Sequence, residues 1–209
     1  MLRKVLLICG ILSSLLYVAT DVLLSRLYKG YSYINQAISE LSAIGAPTRP
    51  LWNDMTFLFN PLLIAFGIGV WRSAGEKRSL HITGILLTIW GITGFVWLFF
   101  PMHMRGAIGS TTTDTGHLVL SGITVLLMTV FIGFGSGARG KWFRLYSILT
   151  ILAMLVFGAL VGMQAPLVAA QLPTPWMGVI ERVSVYSPIL WVLVLAIILL
   201  RTKGKQDTI

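Results

Sequence analysis

Six stretches of mostly apolar sequence, each 18 to 21 residues long, limit what this chain can fold into more than any other feature. A helix needs about 20 such residues to cross a hydrocarbon core about 30 Å thick. None of the stretches alternates as a strand does, and a helix pairs its backbone groups internally, as lipid requires. The sequence therefore predicts an all-α bundle of six membrane-spanning helices in one domain, residues 1–209, with spans at about residues 5–24, 51–71, 80–100, 117–134, 145–163 and 183–200.

The composition excludes several other classes of protein. Charged residues make up 11% of the chain, against about 25% in ordinary soluble proteins. So few charges cannot cover the surface of a soluble enzyme of this size. The net charge of +9 comes from basic residues in short runs between apolar stretches, which is not typical of a nucleic-acid-binding protein. The lipid bilayer is therefore the partner that the composition indicates.

The distribution of basic residues predicts the orientation. Eleven of the 16 Lys and Arg lie on the side of the bundle that holds both termini, and the other five lie on the opposite side. Cytoplasmic loops are enriched in Lys and Arg. We therefore expect both termini in the cytoplasm, and we call the opposite loops the outer loops.

The first outer loop contains the segment YSYINQAISELSAIG, residues 31–45. Its apolar residues fall on one helical face: Ile34, Ala37, Ile38 and Leu41. Its polar residues, among them Glu40, lie mainly toward the other face. This pattern predicts a short amphipathic helix that lies in the interface or over the mouth of the bundle.

Polar residues recur at helical spacing near the outer ends of the spans. Two such stripes are Asp114, His117, Ser121 and Thr124 in the fourth span, and Gly10, Ser14, Tyr17 and Asp21 in the first. Charged groups at membrane depth usually face the bundle interior or a water-filled cavity. We therefore expect an ionisable, outward-facing cavity, with the candidate ligand-binding residues Asp21, Glu40, Asn60, Arg105, Asp114, His117, Ser121, Glu181 and Arg182. The alternative is that these groups only join helices, with Asp21 pairing with Arg26 or Arg182.

A metal site is a second interpretation of the same residues. His103, Asp114 and His117 are ligand types that zinc accepts, and the last two lie one helical turn apart. With Glu181 as general base, such a site is typical of a hydrolase. In the competing interpretation, Asp114 caps the fourth span and His117 hydrogen-bonds a neighbouring helix. Zinc is the one cofactor that these residues indicate.

Four segments resemble a known family. They are GYSYINQAISELSAIGAPTRPLWN, FPMHMRG, DTGH and GVIERV, and they are similar to segments of the domain of unknown function 998 family. The resemblance extends over nearly the whole chain. It implies a polytopic prokaryotic protein of the plasma (inner) membrane, and it implies neither an activity nor a catalytic residue.

Three functions are open at this stage. The first is binding or translocation of a small polar solute or lipid headgroup in the outer cavity. The second is metal-dependent hydrolysis of a lipid within the membrane, and the third is accessory docking to another membrane protein. Proline-bearing helices beside polar residues, at Asn60–Pro61 and Ser187–Pro188, favour the first.

Overall fold

The computed structural model describes residues 1–106 and 111–202, which contain helices and no β-strand. Six helices are long and apolar enough to cross a membrane, which confirms the predicted six-helix, all-α fold. Two of the basic residues counted above, Lys203 and Lys205, lie outside the described residues. The helices are α1 Leu2–Leu27, α2 Arg49–Arg72, α3 Arg78–Val96, α4 Thr112–Gly135, α5 Gly140–Ala169 and α6 Met177–Arg201.

The helices extend past most of the predicted span limits. One of the largest differences is in α5, which continues to Ala169 although the apolar stretch was expected to end at residue 163. Pro166 lies within this last part. A proline ring clashes with the carbonyl group four residues earlier, and here that residue is Gly162, beside which a Cβ atom would meet nothing within 4 Å.

The helices form a ring in chain order. Helix α1 packs against both α2 and α6, and the ring continues through α2–α3, α3–α4 and α5–α6. Helices α2 and α3 pack most extensively, and their backbones approach closely at two glycines. A side chain at Gly84 would clash there, because its Cβ atom would lie only 2.7 Å from the Gly67 carbonyl oxygen. The neighbours α4 and α5 make few contacts with each other. The ring is therefore tightly packed everywhere except at the α4–α5 seam.

Both described ends of the chain lie at one end of the bundle, which we call the proximal end. The Arg3 guanidinium donates hydrogen bonds to the carbonyl oxygens of Leu199 and Thr202, at 3.2 and 3.1 Å. The interior beside this end is filled by large buried side chains, including Phe66, Phe131 and Trp191. We call the opposite end, with the loops that contain residues 28–48, 97–106 and 170–176, the distal end.

The first distal loop differs in part from the predicted amphipathic helix. Its helical part is a 3₁₀ helix of five residues, Ile38–Ser42. Ile38 and Leu41 are buried as expected, whereas Ile34 is 48% exposed. Glu40 was expected to face the polar side, but it is buried. The reason is its ion pair with Arg105, which helical periodicity within the loop could not reveal.

Candidate functional site

A buried ion pair joins α1 to α6 at the distal end. Arg182 donates to both carboxylate oxygens of Asp21, from Nε and from Nη2, each at 2.8 Å. Asp21 is 0% and Arg182 4% exposed. The guanidinium also donates to the Tyr33 carbonyl at 2.8 Å and lies 3.5 Å from the centroid of the Tyr33 ring. The remaining donors of Arg182 are occupied as well, so this charge is fully paired.

Tyr31 connects this pair to the first distal loop. Its hydroxyl accepts a hydrogen bond from Arg182 at 3.0 Å and donates to the carbonyl oxygens of Gln36 and Ala37 at 2.9 and 2.8 Å. Burial raises the pKa of this hydroxyl above its ordinary value, because the phenolate would lose its solvation. Tyr31 is therefore neutral and can donate.

A second ion pair fastens the three distal loops together. Arg105 donates to both carboxylate oxygens of Glu40, at 2.7 and 2.8 Å. Its Nη2 also donates to the Thr174 hydroxyl at 2.7 Å. Because Glu40, Arg105 and Thr174 come from three different loops, the pair ties these loops into one unit. We call Asp21, Arg182, Glu40 and Arg105 the paired layer.

Asp114 stabilises the start of α4. Its carboxylate accepts hydrogen bonds from the backbone N–H groups of Thr111 and His103, at 3.0 and 2.9 Å. The His103 ring nitrogen Nδ1 lies 3.0 Å from the same carboxylate. Thr111 is the N-cap of α4, and Asp114, three residues further on, completes a capping box and holds the preceding loop against the helix.

His103 and Asp114 contact each other, but in the described residues the three predicted zinc ligands do not form a metal site. Nδ1 of His117 lies 2.9 Å from the carbonyl oxygen of Phe100, so this nitrogen carries a proton and donates. Asp114 and His103 are engaged with each other, and no three His, Cys, Asp or Glu side chains within residues 1–106 and 111–202 are placed to hold a metal ion. The geometry matches the competing interpretation, in which Asp114 is a cap and His117 bonds the end of a neighbouring helix.

Beneath the paired layer lies a cavity of about 330 Å³ to which all six helices contribute. It begins under the first distal loop, at Ile38 and Ser42, and reaches Asn60 and Thr124, which lie midway along α2 and α4. The side chains around it are mostly apolar. The cavity therefore occupies the distal half of the bundle and ends where the proximal core begins.

Aromatic rings line one continuous wall of this cavity. Tyr17 packs edge-on against Trp52 and tilted against Phe59, with ring centroids 5.9 and 5.3 Å apart. Phe59 in turn meets Trp90 at 6.4 Å. All four rings line the cavity. Such a wall suits the apolar part of a ligand and offers ring faces to a positively charged group.

Two buried polar atoms in the cavity wall have no hydrogen-bond partner in the described structure, Nδ2 of Asn60 and Oγ1 of Thr124. The two residues are 1% and 7% exposed. Buried polar groups are nearly always paired with protein or with another molecule, because an unpaired one costs about 1–3 kcal/mol. These two atoms therefore lack a partner within the described structure, on residues that line the cavity.

The residues predicted as ligand-binding divide into two groups. Asn60, His117, Ser121 and Glu181 line the cavity. The other five, Asp21, Glu40, Arg105, Asp114 and Arg182, are held in ion pairs at the distal end.

Comparison with known families decides the identity of the chain. The family described as "Protein of unknown function (DUF998)" matches residues 11–198. The chain belongs to the DUF998 family. This confirms the resemblance found in the four sequence segments, and together with the six apolar helices it makes the chain a multi-pass integral membrane protein. No curated protein and no solved structure matched this DUF998 chain.

Some cavity residues of this DUF998 protein were absent from the predicted set. Tyr17 and Thr124 belong to the polar stripes of the first and fourth spans, so periodicity carried a signal for both. Trp90 and Phe59 carried no such signal, because an aromatic residue within an apolar span is equally consistent with lipid contact or core packing.

Proposed function

We propose that this DUF998 protein binds a small amphiphile in the distal cavity, as a membrane receptor or as the binding step of a translocation. The observation that carries the proposal is the presence of two unpartnered buried polar atoms, on Asn60 and Thr124, in the wall of a cavity whose lining is mostly aromatic and apolar. Ligand sites of this kind are mainly apolar, with a few polar groups that fix orientation. An amphiphile supplies both kinds of surface.

The packing of the bundle supports binding from one side. The interior on the proximal side of the cavity is filled by Phe66, Phe131 and Trp191, which are each 0% exposed. The Trp191 indole donates to the Ser147 hydroxyl at 2.8 Å, which fixes this ring across the interior. A ligand therefore enters from the distal half, and translocation would require these side chains to move.

The experiment uses a photoreactive nonionic amphiphile with a dodecyl chain, added to the protein in nanodiscs. Ser121→Trp places a large ring in the cavity, whereas Gly122→Trp, one residue along α4, places it where a Cβ atom meets nothing within 4 Å. We expect labelled peptides around Trp52 and Trp90 in the wild type and in Gly122→Trp, with a loss of about tenfold in Ser121→Trp. Labelling confined to lipid-facing residues in all three proteins would overturn the proposal.

We also infer that the distal end faces the outside of a prokaryotic plasma membrane. The basis is the excess of basic residues on the side of the termini. In a Cys9→Ala background, single cysteines replace Thr112 at the distal end and Gly137 at the proximal end. A membrane-impermeant maleimide should label position 112 in intact cells, and position 137 only after permeabilisation. The reverse pattern would place the cavity on the cytoplasmic side.

A further inference from the structure

Glu181 is unlike the other acidic residues of the distal end. Within the described chain its carboxylate has no Lys, Arg or His within ion-pair distance, and it accepts hydrogen bonds from the backbone N–H of Ile38 and from the Ser39 hydroxyl at 3.4 Å. Three other distal carboxylates have a basic partner within 3.0 Å, in the pairs Asp21–Arg182, Glu40–Arg105 and Asp114–His103. Glu181 is thus a distal carboxylate without a basic partner among the described residues.

The position of Glu181 makes its lack of a basic partner relevant to ligand binding. Glu181, Ile38 and Ser39 all line the cavity, so the carboxylate lies at its distal edge. A carboxylate at membrane depth is costly unless a cation compensates it. The neighbouring Arg182 cannot do so, because its donors are occupied by Asp21 and by the first distal loop.

The aromatic wall provides the second half of a cation site. Tyr17 lies in ring contact with both Trp52 and Phe59, and all three rings line the same cavity. The face of an aromatic ring attracts an ammonium ion, and quaternary ammonium groups are bound in this way by rings grouped around them. The Tyr17 hydroxyl has no hydrogen-bond partner among the described residues, so it is also available to a polar head.

We propose that the amphiphile carries an ammonium group, held by the Glu181 carboxylate and by the aromatic wall. This inference rests on the proposed function and specifies the class of ligand. The ammonium group can belong to a purely cationic amphiphile or to a zwitterionic lipid headgroup. Arg49 separates these sources, because it also lines the cavity and has no acidic partner among the described residues. Its guanidinium would bind the phosphate of a zwitterionic head.

The test compares three probes that share one dibrominated alkyl chain, with a trimethylammonium, a phosphocholine or a maltoside head. Bromine quenches tryptophan fluorescence at short range, and Trp52 and Trp90 lie in the cavity wall. Titrations are made on the wild type, Glu181→Gln, Glu181→Asp and Arg49→Gln in nanodiscs. Asp54→Asn is the matched control, because Asp54 is an exposed carboxylate of α2 that does not line the cavity.

We expect the wild type and Asp54→Asn to bind at least one ammonium probe about tenfold more tightly than the maltoside, in keeping with an ion pair and a cation–π contact made by a quaternary ammonium group. Glu181→Gln should abolish this preference while it still binds the maltoside, and Glu181→Asp should retain most of it. A phosphocholine preference that is lost in Arg49→Gln identifies a lipid headgroup, and a trimethylammonium preference that survives there identifies a cationic amphiphile.

Other outcomes overturn one proposal or both. Equal binding of charged and neutral probes by the wild type, or a preference that survives in Glu181→Gln, removes the ammonium assignment and leaves the amphiphile cavity in place. Absence of binding of any probe by the wild type removes the proposed function as well. If Glu181→Gln loses the maltoside too, Glu181→Asp decides, because retained ammonium preference supports the assignment and lost preference overturns it.

Discussion

The paired layer and the cavity beneath it treat polar groups in opposite ways. In the paired layer, Asp21 and Glu40 each accept two hydrogen bonds from one guanidinium, and the remaining donors of Arg182 and Arg105 meet loop oxygens. In the cavity wall, Asn60 and Thr124 each carry a buried polar atom that has no hydrogen-bond partner in the described structure. This difference indicates that the ion pairs of the paired layer stabilise the distal end of the bundle. The polar groups suited to ligand binding are the few unpartnered ones in the cavity beneath that layer.

The largest effect is expected where the paired layer is broken at its centre. Asp21→Asn leaves the Arg182 guanidinium buried without a counter-charge, and breaking such a pair costs about 3–5 kcal/mol. The free energy of unfolding can be measured in mixed micelles with increasing sodium dodecyl sulfate. A double variant, Asp21→Leu with Arg182→Leu, should lose less than either single charge removal. A loss below about 1 kcal/mol in Asp21→Asn would contradict the importance of this pair.

A smaller effect is expected at the second pair. Arg105→Gln leaves Glu40 without its cation, but the Arg105 side chain is 21% exposed and water can partly replace it. We expect a loss of about 1–2 kcal/mol and faster proteolysis of all three distal loops. Lys29→Gln is the control, because Lys29 is an exposed basic residue of the first distal loop. Faster cleavage in only one loop would show that Arg105 does not join them.

Tyr31 offers a pH-dependent test of the paired layer. Because burial raises its pKa in the folded state, the folded protein holds this proton more tightly than the unfolded chain. The stabilisation is complete below the ordinary tyrosine pKa of about 10 and is lost as the pH rises above it. Tyr31→Phe should cost about 1 kcal/mol at pH 8 and should make the decline of unfolding free energy between pH 9 and 11 shallower. An unchanged slope would show that Tyr31 does not contribute to it.

The smallest effect on stability is expected in the cavity. Thr124→Val removes an unpartnered hydroxyl with little change in shape, so the free energy of unfolding should change by less than about 0.5 kcal/mol. Ser147→Ala is the contrasting variant, because its hydroxyl accepts from Trp191 and its loss should cost about 1–2 kcal/mol. Amphiphile binding should weaken in Thr124→Val and persist in Ser147→Ala. A larger loss of stability in Thr124→Val than in Ser147→Ala, or weaker amphiphile binding only in Ser147→Ala, would contradict the assignment of Thr124 to ligand binding and of Ser147 to packing.

The sequence predicts the helices better than it predicts the pairs. Hydropathy and length locate all six spans, since a lipid environment leaves the backbone no other regular choice here. The polar stripes also place Tyr17 and Thr124 on faces that line the cavity. What periodicity cannot give is the partner of a charge, because Glu40 and Arg105 are 65 residues apart and meet only when two loops fold over the bundle.

The metal hypothesis illustrates the same limit. The spacing of Asp114 and His117 places both on one helix face, which is necessary for a shared ligand but does not fix where each side chain points. In the structure the Asp114 carboxylate turns back to cap its own helix, and His117 reaches the Phe100 carbonyl at the end of the preceding helical segment. In the described residues no three metal-ligating side chains are placed to share an ion, and residue spacing does not show how such side chains are oriented.

The weak α4–α5 seam has a mechanical consequence. Residues 136–139 form the shortest connection in the bundle, and they join the two neighbours that pack least well. A short tether keeps such helices at a high effective concentration without any need for a large buried surface between them. The covalent link thus substitutes for packing between α4 and α5 at the proximal end. Few contacts join the two helices, whose distal halves carry Ser121 and Val161 on the cavity wall. Closure of the ring therefore depends more on the covalent connection here than between any other two helices that are neighbours in both the chain and the ring.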